Sequence, residues 1–201
     1  MRYMKVAVRS LVLCVMAAAA MTAYGQDEPN FEVTVHLVVG SNEDGQRTDL
    51  PSELTAVSRQ MKSSMPFTHY RLAATFLGRV ANLGSFEYKS VSNLFGKQSD
   101  MRSDQSFMEW SLGKIKLSPL PNGKRGFHAE HFRFGARVPV VTSSIRDESG
   151  KVTQNTNYEA IGLALNRIGI PENTPTLVGT LNLPGSNGTI FLVMTAKSIE
   201  L

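Results

Sequence analysis

From Phe31 to Val39 the chain alternates, with Phe31, Val33, Val35, Leu37 and Val39 on one side of an extended strand and Glu32, Thr34 and His36 on the other. The polar stretch Gly40 to Asp49 follows, with Glu43-Asp44-Gly45 as its expected turn. The period then changes. Leu50, Leu54, Val57, Met61 and Met65 recur every three or four residues, Pro51 suits a first helical turn, Glu53 complements the positive end of the helix dipole, and Pro66 stops the run. This is the one clear helix of the chain.

After Pro66 the period drops to two, which places Tyr70, Leu72, Ala74, Phe76 and Val80 on one face of a long strand, with a shorter strand at 85–91. Met108, Trp110 and Leu112 continue the alternation, and the phase then slips across Gly113 to Ile115 and Leu117, as at a β-bulge. Prolines and glycines make Ser118 to Gly126 a hairpin loop, and Phe132, Phe134, Ala136 and Val138 line the return strand. Asp147-Glu148-Ser149-Gly150 is a turn. Tyr158 to Ile168 fits a helix through Ile161, Leu165 and Ile168, or a strand through Glu159, Ile161, Leu163 and Leu165. Gly162 and Gly169 weaken the helix and favour the strand. Two apolar strands, 176–183 and 189–199, flank Pro184-Gly185-Ser186-Asn187-Gly188, and the unbroken run Ile190 to Met194 marks a strand covered on both faces. The fold class expected is mainly β (α+β), a twisted, mostly antiparallel sheet or sandwich with one packed N-terminal helix.

Composition changes this picture at the N-terminus. Arg2, Lys5 and Arg9 precede the apolar run Leu11 to Ala23, and Ala23-Tyr24-Gly25 offers small residues at a cleavage point, the pattern of a secretory signal peptide over residues 1–25. Ala20 is the alternative cut. The run is shorter than the roughly 20 residues that a spanning helix needs, so no transmembrane helix is expected in the mature chain, 26–201, which reads as a single β-rich domain. Of 21 basic residues, three lie in the leader, leaving 18 against 17 acidic ones. The apparent basicity is thus mostly an export signal, and nucleic acid is not an expected partner. The only cysteine, Cys14, also falls in the leader, where Leu13 and the continuing apolar run speak against lipidation.

Candidate chemistry is sparse. His128-Ala129-Glu130-His131 is the one cluster of metal-ligand type, but residues three apart on a strand point to opposite faces, and the cysteines of a zinc deaminase are missing from the mature chain. Four Gly-Lys pairs lack the neighbours of a phosphate loop, and Ser111-Leu112-Gly113-Lys114 lies in a strand where a penicillin-recognising enzyme would need a helix. Asn187-Gly188-Thr189 reads as a turn, not a glycosylation acceptor. No catalytic, cofactor-binding or metal residue is therefore assigned and no cofactor is expected. His128, Glu130 and His131 remain the residues on which a hydrolase would have to rest.

Three stretches taken in order resemble the C-terminal β-domain of bacterial secretins, the outer-membrane rings of secretion and pilus systems. Phe31 to Val39 resembles the opening strand of alternating valines. Phe134-Gly135-Ala136-Arg137-Val138-Pro139-Val140-Val141-Thr142 is similar to the family's strand with a proline and a following threonine. Thr176-Leu177-Val178-Gly179, then Ile190 to Lys197, looks like the two closing strands. Ala196 stands where the family has proline, and the long segment between the last two strands is reduced to a five-residue turn. The resemblance implies a secretin-like envelope protein lacking the gate and the membrane-insertion segment.

The functional expectation is an exported, non-enzymatic bacterial envelope protein of the periplasm or outer membrane, with a structural, assembly or interaction role. Its partners would be an envelope protein or a second copy, met through strand edges. The alternative is a periplasmic ligand-binding module, with Trp110, Tyr70, Tyr88 and Phe132 lining an apolar cavity.

Overall fold

The computed structural model describes residues 29–42, 50–65, 67–92, 94, 105–146, 148–150 and 152–199. The expected leader, the turn at 43–45 and Pro66 lie outside them. In chain order the elements are β1 (Asn30–Ser41), a single 3-10 turn (Ser52–Leu54) leading into α1 (Thr55–Ser64), β2 (His69–Ala81), β3 (Phe86–Ser92), β4 (Ser106–Gly113), β5 (Lys116–Pro119), β6 (Arg125–Arg146), β7 (Val152–Pro171), β8 (Thr176–Asn182) and β9 (Thr189–Ile199). The protein is mainly β, with one short helix among the described residues, and the named strands all pair antiparallel. One sheet has the order β2-β1-β9-β8; in the other, β3, β4 and β6 lie side by side, β5 continues β4 along the same edge of β6, and β7 pairs with β6.

The alternation of β1 explains how the sheets meet. Phe31, Val33, Val35, Leu37 and Val39 are buried together with Met108, Trp110, Phe127, Phe132 and Phe134 of the second sheet, and the Phe31 and Phe127 rings meet edge to face at 5.0 Å. The opposite face of the first sheet is covered by the helix, whose Leu54, Val57 and Met61 pack on Val38, Tyr70, Phe191 and Val193. This double cover accounts for the apolar run in β9: Ile190, Leu192 and Met194 enter the sandwich while Phe191 and Val193 face the helix. Pro51 stands in extended backbone just before the first turn, and Met65, extended as a residue before proline prefers, ends α1.

One expectation about strand faces is corrected. Tyr70 and Leu72 do not share a face with Ala74, Phe76 and Val80. The pairing with β1 shifts between Leu37 and Val38, leaving Ala73 as an extra residue, so Tyr70 and Leu72 turn to the helix and Ala74, Phe76 and Val80 to the sandwich. A shift at Val178 in β8 likewise sends Leu177 to the helix and Leu181 and Leu183 inward.

The slip expected at Gly113 is present and wider than one strand. Leu112 and Ile115 are both interior, with two residues between them; so are Phe132 and Ala129 in β6, and Leu165 and Ile168 in β7. These three pairs are in register with one another. The phase change thus crosses three strands at one level, and two of them pass through it with a left-handed residue, Lys114 (φ 48°) and Arg167 (φ 57°). The β2–β3 corner is tied to the same level, where Leu83 N–H donates to the Ile115 carbonyl at 2.8 Å.

His36 is a titratable side chain sealed into this fold on the helix side of β1. It is 4% exposed, its Nδ1 lies 3.0 Å from Thr75 Oγ1, and its Nε2 lies 3.7 Å from the Glu53 carboxylate. Burial holds its pKa below the usual 6.5, and Glu53 opposes that shift only in part. A depressed histidine pKa means that the unfolded chain takes up a proton more readily, so stability is full above pH 6.5 and falls as the pH drops through the lower, folded value. The midpoint of urea unfolding should therefore decline on acidification through that window, and His36→Gln should flatten the decline.

Candidate functional site

The phase slip decides where the histidine cluster goes. Because Ala129 and Phe132 are both interior, Glu130 and His131 both face outward, and so does His128. The expectation that His128 and His131 occupy opposite faces is thereby overturned: the slip adds the extra residue that brings them to one side. They nevertheless diverge. The His131 ring lies over Gly113 of β4, so closely that a Cβ there would come within 1.9 Å of it. His128 leans the other way, toward Gly169 of β7. Glu130 is held by Lys114 at 3.0 Å. Among the described residues no group of three or more His, Cys, Asp or Glu is arranged to hold a metal ion.

The four aromatics of the ligand-binding alternative do not line one cavity. Tyr70 belongs to the cluster under the helix, whereas Trp110 and Phe132 are core, their ring centres 6.4 Å apart, with Tyr88 packed beside Trp110 at 6.3 Å. Two shallow concavities lie instead on the outer face of the second sheet. There Gly135 opposite Gly162 leaves a shallow trough bordered by Glu87, Glu109 and Arg133.

The most distinctive surface is the end of the β6–β7 hairpin. β4 accompanies β6 only as far as Arg137. Beyond that point β6 and β7 run on as a two-stranded arm paired from Val138–Glu159 to Arg146–Val152. Val141, Ile145, Val152 and Tyr158 on this arm are 43–61% exposed. Its two edges differ. The β6 edge carries Pro139 and a register shift between Val141 and Ser143, both of which interrupt strand pairing. On β7 the run Val152-Thr153-Gln154-Asn155-Thr156-Asn157-Tyr158 has no charge, proline, glycine or irregularity, and among the described residues no strand pairs with its other edge.

Such an edge presents a row of backbone donors and acceptors, of which the Tyr158 N–H is taken locally by Asn157 Oδ1 at 2.9 Å, and it has no charge, proline or bulge of its own to discourage a further strand. Tyr158 shares the outer face with Phe107, their rings meeting edge to face at 5.8 Å, and Val91, cross-strand from Phe107, continues the apolar row. The sequence pattern assigns a turn at 147–150 and favours a strand over 158–168, which leaves 151–157 without an element. Val152, Thr153 and Thr156, all β-branched, joined without a break to Tyr158, are the signal that extends the strand back to the turn.

No protein-family model matches the chain, and no curated protein matches it either. Among the described residues no helix is long and apolar enough to cross a membrane.

Proposed function

We propose that the protein is an exported, non-enzymatic bacterial envelope protein that works by interaction or assembly, offering the edge of its β6–β7 arm to a partner strand. The observation that carries this reading is the uncharged, uninterrupted edge Val152–Tyr158 on an arm that projects past the sheet it comes from. Export is supported by the leader pattern of residues 1–25, with its basic start, 13-residue apolar run and small residues at the cut. The secretin-like character draws on Phe31–Val39, Thr176–Gly179 and Ile190–Lys197, which fall in β1, β8 and β9, neighbours in one sheet, and on Phe134–Thr142 in β6.

Val141 pairs with Thr156, so joining these two through a short Asn-Gly turn removes the outer part of the arm, including Val152 to Asn155 of its edge, and leaves the rest of β6 and β7 paired. The shortened protein should melt within a few degrees of the parent, be exported and processed as the parent is, and lose its cross-linked species in intact cells. Retention of the full N-terminus in the cytoplasm would refute export. Unchanged cross-linking by the shortened protein would refute the arm as the interacting element.

A further inference from the structure

We infer that the partner strand is β7 of a second copy, paired antiparallel about a two-fold axis at Asn155. This rests on the interaction reading above and adds the occupant and the register. In a two-fold antiparallel pair centred on residue 155, Gln154 stands opposite Thr156 of the other copy, Thr153 opposite Asn157, and Val152 opposite Tyr158. The two exposed apolar side chains of the run therefore meet each other, twice. All even-numbered residues from Val152 to Ala164 share one face of β7, because its pairing with β6 carries no extra residue on the β7 strand. The Val152–Tyr158 contacts consequently lie on the outer face, where they continue the row of Tyr158, Phe107 and Val91 across the axis.

Charge selects the same partner. The run itself is neutral, so two copies face each other without like charges opposed. In the sequence the run is preceded by a basic residue, Lys151, and followed by an acidic one, Glu159, so its two ends differ in charge sign, as an antiparallel pairing of two copies favours. No other centre within the run gives the Val152–Tyr158 match. A seven-residue edge is a small interface, below the area of a standard stable complex, so the association is expected to be reversible and concentration-dependent.

Sedimentation velocity of the purified protein should show a shift from monomer to dimer with rising concentration, and Gln154→Lys/Thr156→Lys, which opposes like charges across the axis, should abolish it. Single cysteines in a Cys14→Ser background then read the register. Asn155→Cys alone should give an oxidised dimer, since position 155 meets itself. Thr153→Cys alone should not, because its copies stand about four residues or ~13 Å apart along the strands, beyond the reach of a disulfide. Mixing Thr153→Cys with Asn157→Cys protein should restore the cross-link. A monomer at every concentration, or a dimer that Asn155→Cys does not trap, overturns this inference. Either result leaves the arm's role with a different partner to be decided by the in-cell comparison of parent and shortened protein.

Discussion

Replacing Trp110 by alanine is expected to destabilise the protein by about 3–5 kcal/mol, the usual range for removing a large aromatic from a core. Trp110 is 2% exposed and sits where the sheets meet, with the rings of Phe86 at 4.9 Å, Tyr88 at 6.3 Å, Phe132 at 6.4 Å and Phe76 at 6.5 Å. These neighbours come from β2, β3 and β6, so no single strand can move in to fill the space. Its indole N–H is buried without a hydrogen-bond partner, which means that the side chain stabilises through its area and ring contacts, not its polarity. Trp110→Phe keeps most of that area and discards the unpaired donor. Chemical unfolding should therefore rank Trp110→Phe close to the parent and Trp110→Ala far below it. Near-equal losses for the two variants would place the contribution of Trp110 in its N–H instead of its packing.

Leu192→Ala is expected to cost about 2–5 kcal/mol, a large share of the ~5–15 kcal/mol by which domains are usually stable. Leu192 is fully buried, lies cross-strand from Leu37 on one side and Gly179 on the other, and points into the sandwich from the middle of β9. Both flanking strands are fixed in register, so the vacated volume closes only partially. Ser186→Ala in the β8–β9 turn removes two hydrogen bonds, one accepted from the Gly188 N–H at 3.1 Å and a long one donated to the Leu183 carbonyl at 3.5 Å, and should cost about 1 kcal/mol. Thermal melts of the three proteins check the contrast; a parent-like melt for Leu192→Ala would mean that β9 is not the central strand of its sheet.

The strands were legible where burial imposes a strict period. β1 and β9 follow it because each is pinned between neighbours and covered on both faces, and α1 follows its own period because one side of it seals Val38, Phe191 and Val193. What alternation could not reveal was a change of face within a strand. Ala73 and Val178 are small or β-branched residues that fit a regular strand as well as a bulge, and only the neighbouring register shows that each is an extra residue. Gly113 did mark its slip, but the matching slips at 130–131 and 166–167 carry no glycine or proline, and they exist because paired strands must bend together. The same blindness put His128 and His131 on opposite faces. The arm went unassigned for another reason: a two-stranded ribbon exposed on both faces has no core to impose a hydrophobic period, so Val152 to Asn157 carries only propensity.

The pairing of β1 with β9 joins Asn30 to Ile199, so the two innermost strands of the first sheet come from opposite ends of the described chain. Contacts so distant in sequence form slowly, because the long loop must close before any of them stabilises. During synthesis the hairpins β3–β4 and β6–β7 have their partners close at hand, but β1 has only β2, and the backbone of its other edge waits for β9 to be made. Loss of the residues from Thr189 onward would thus remove the centre of a sheet, not its margin, and leave β8 with no strand to join. For this protein, termination just before Thr189 should be as damaging to folding as termination far upstream.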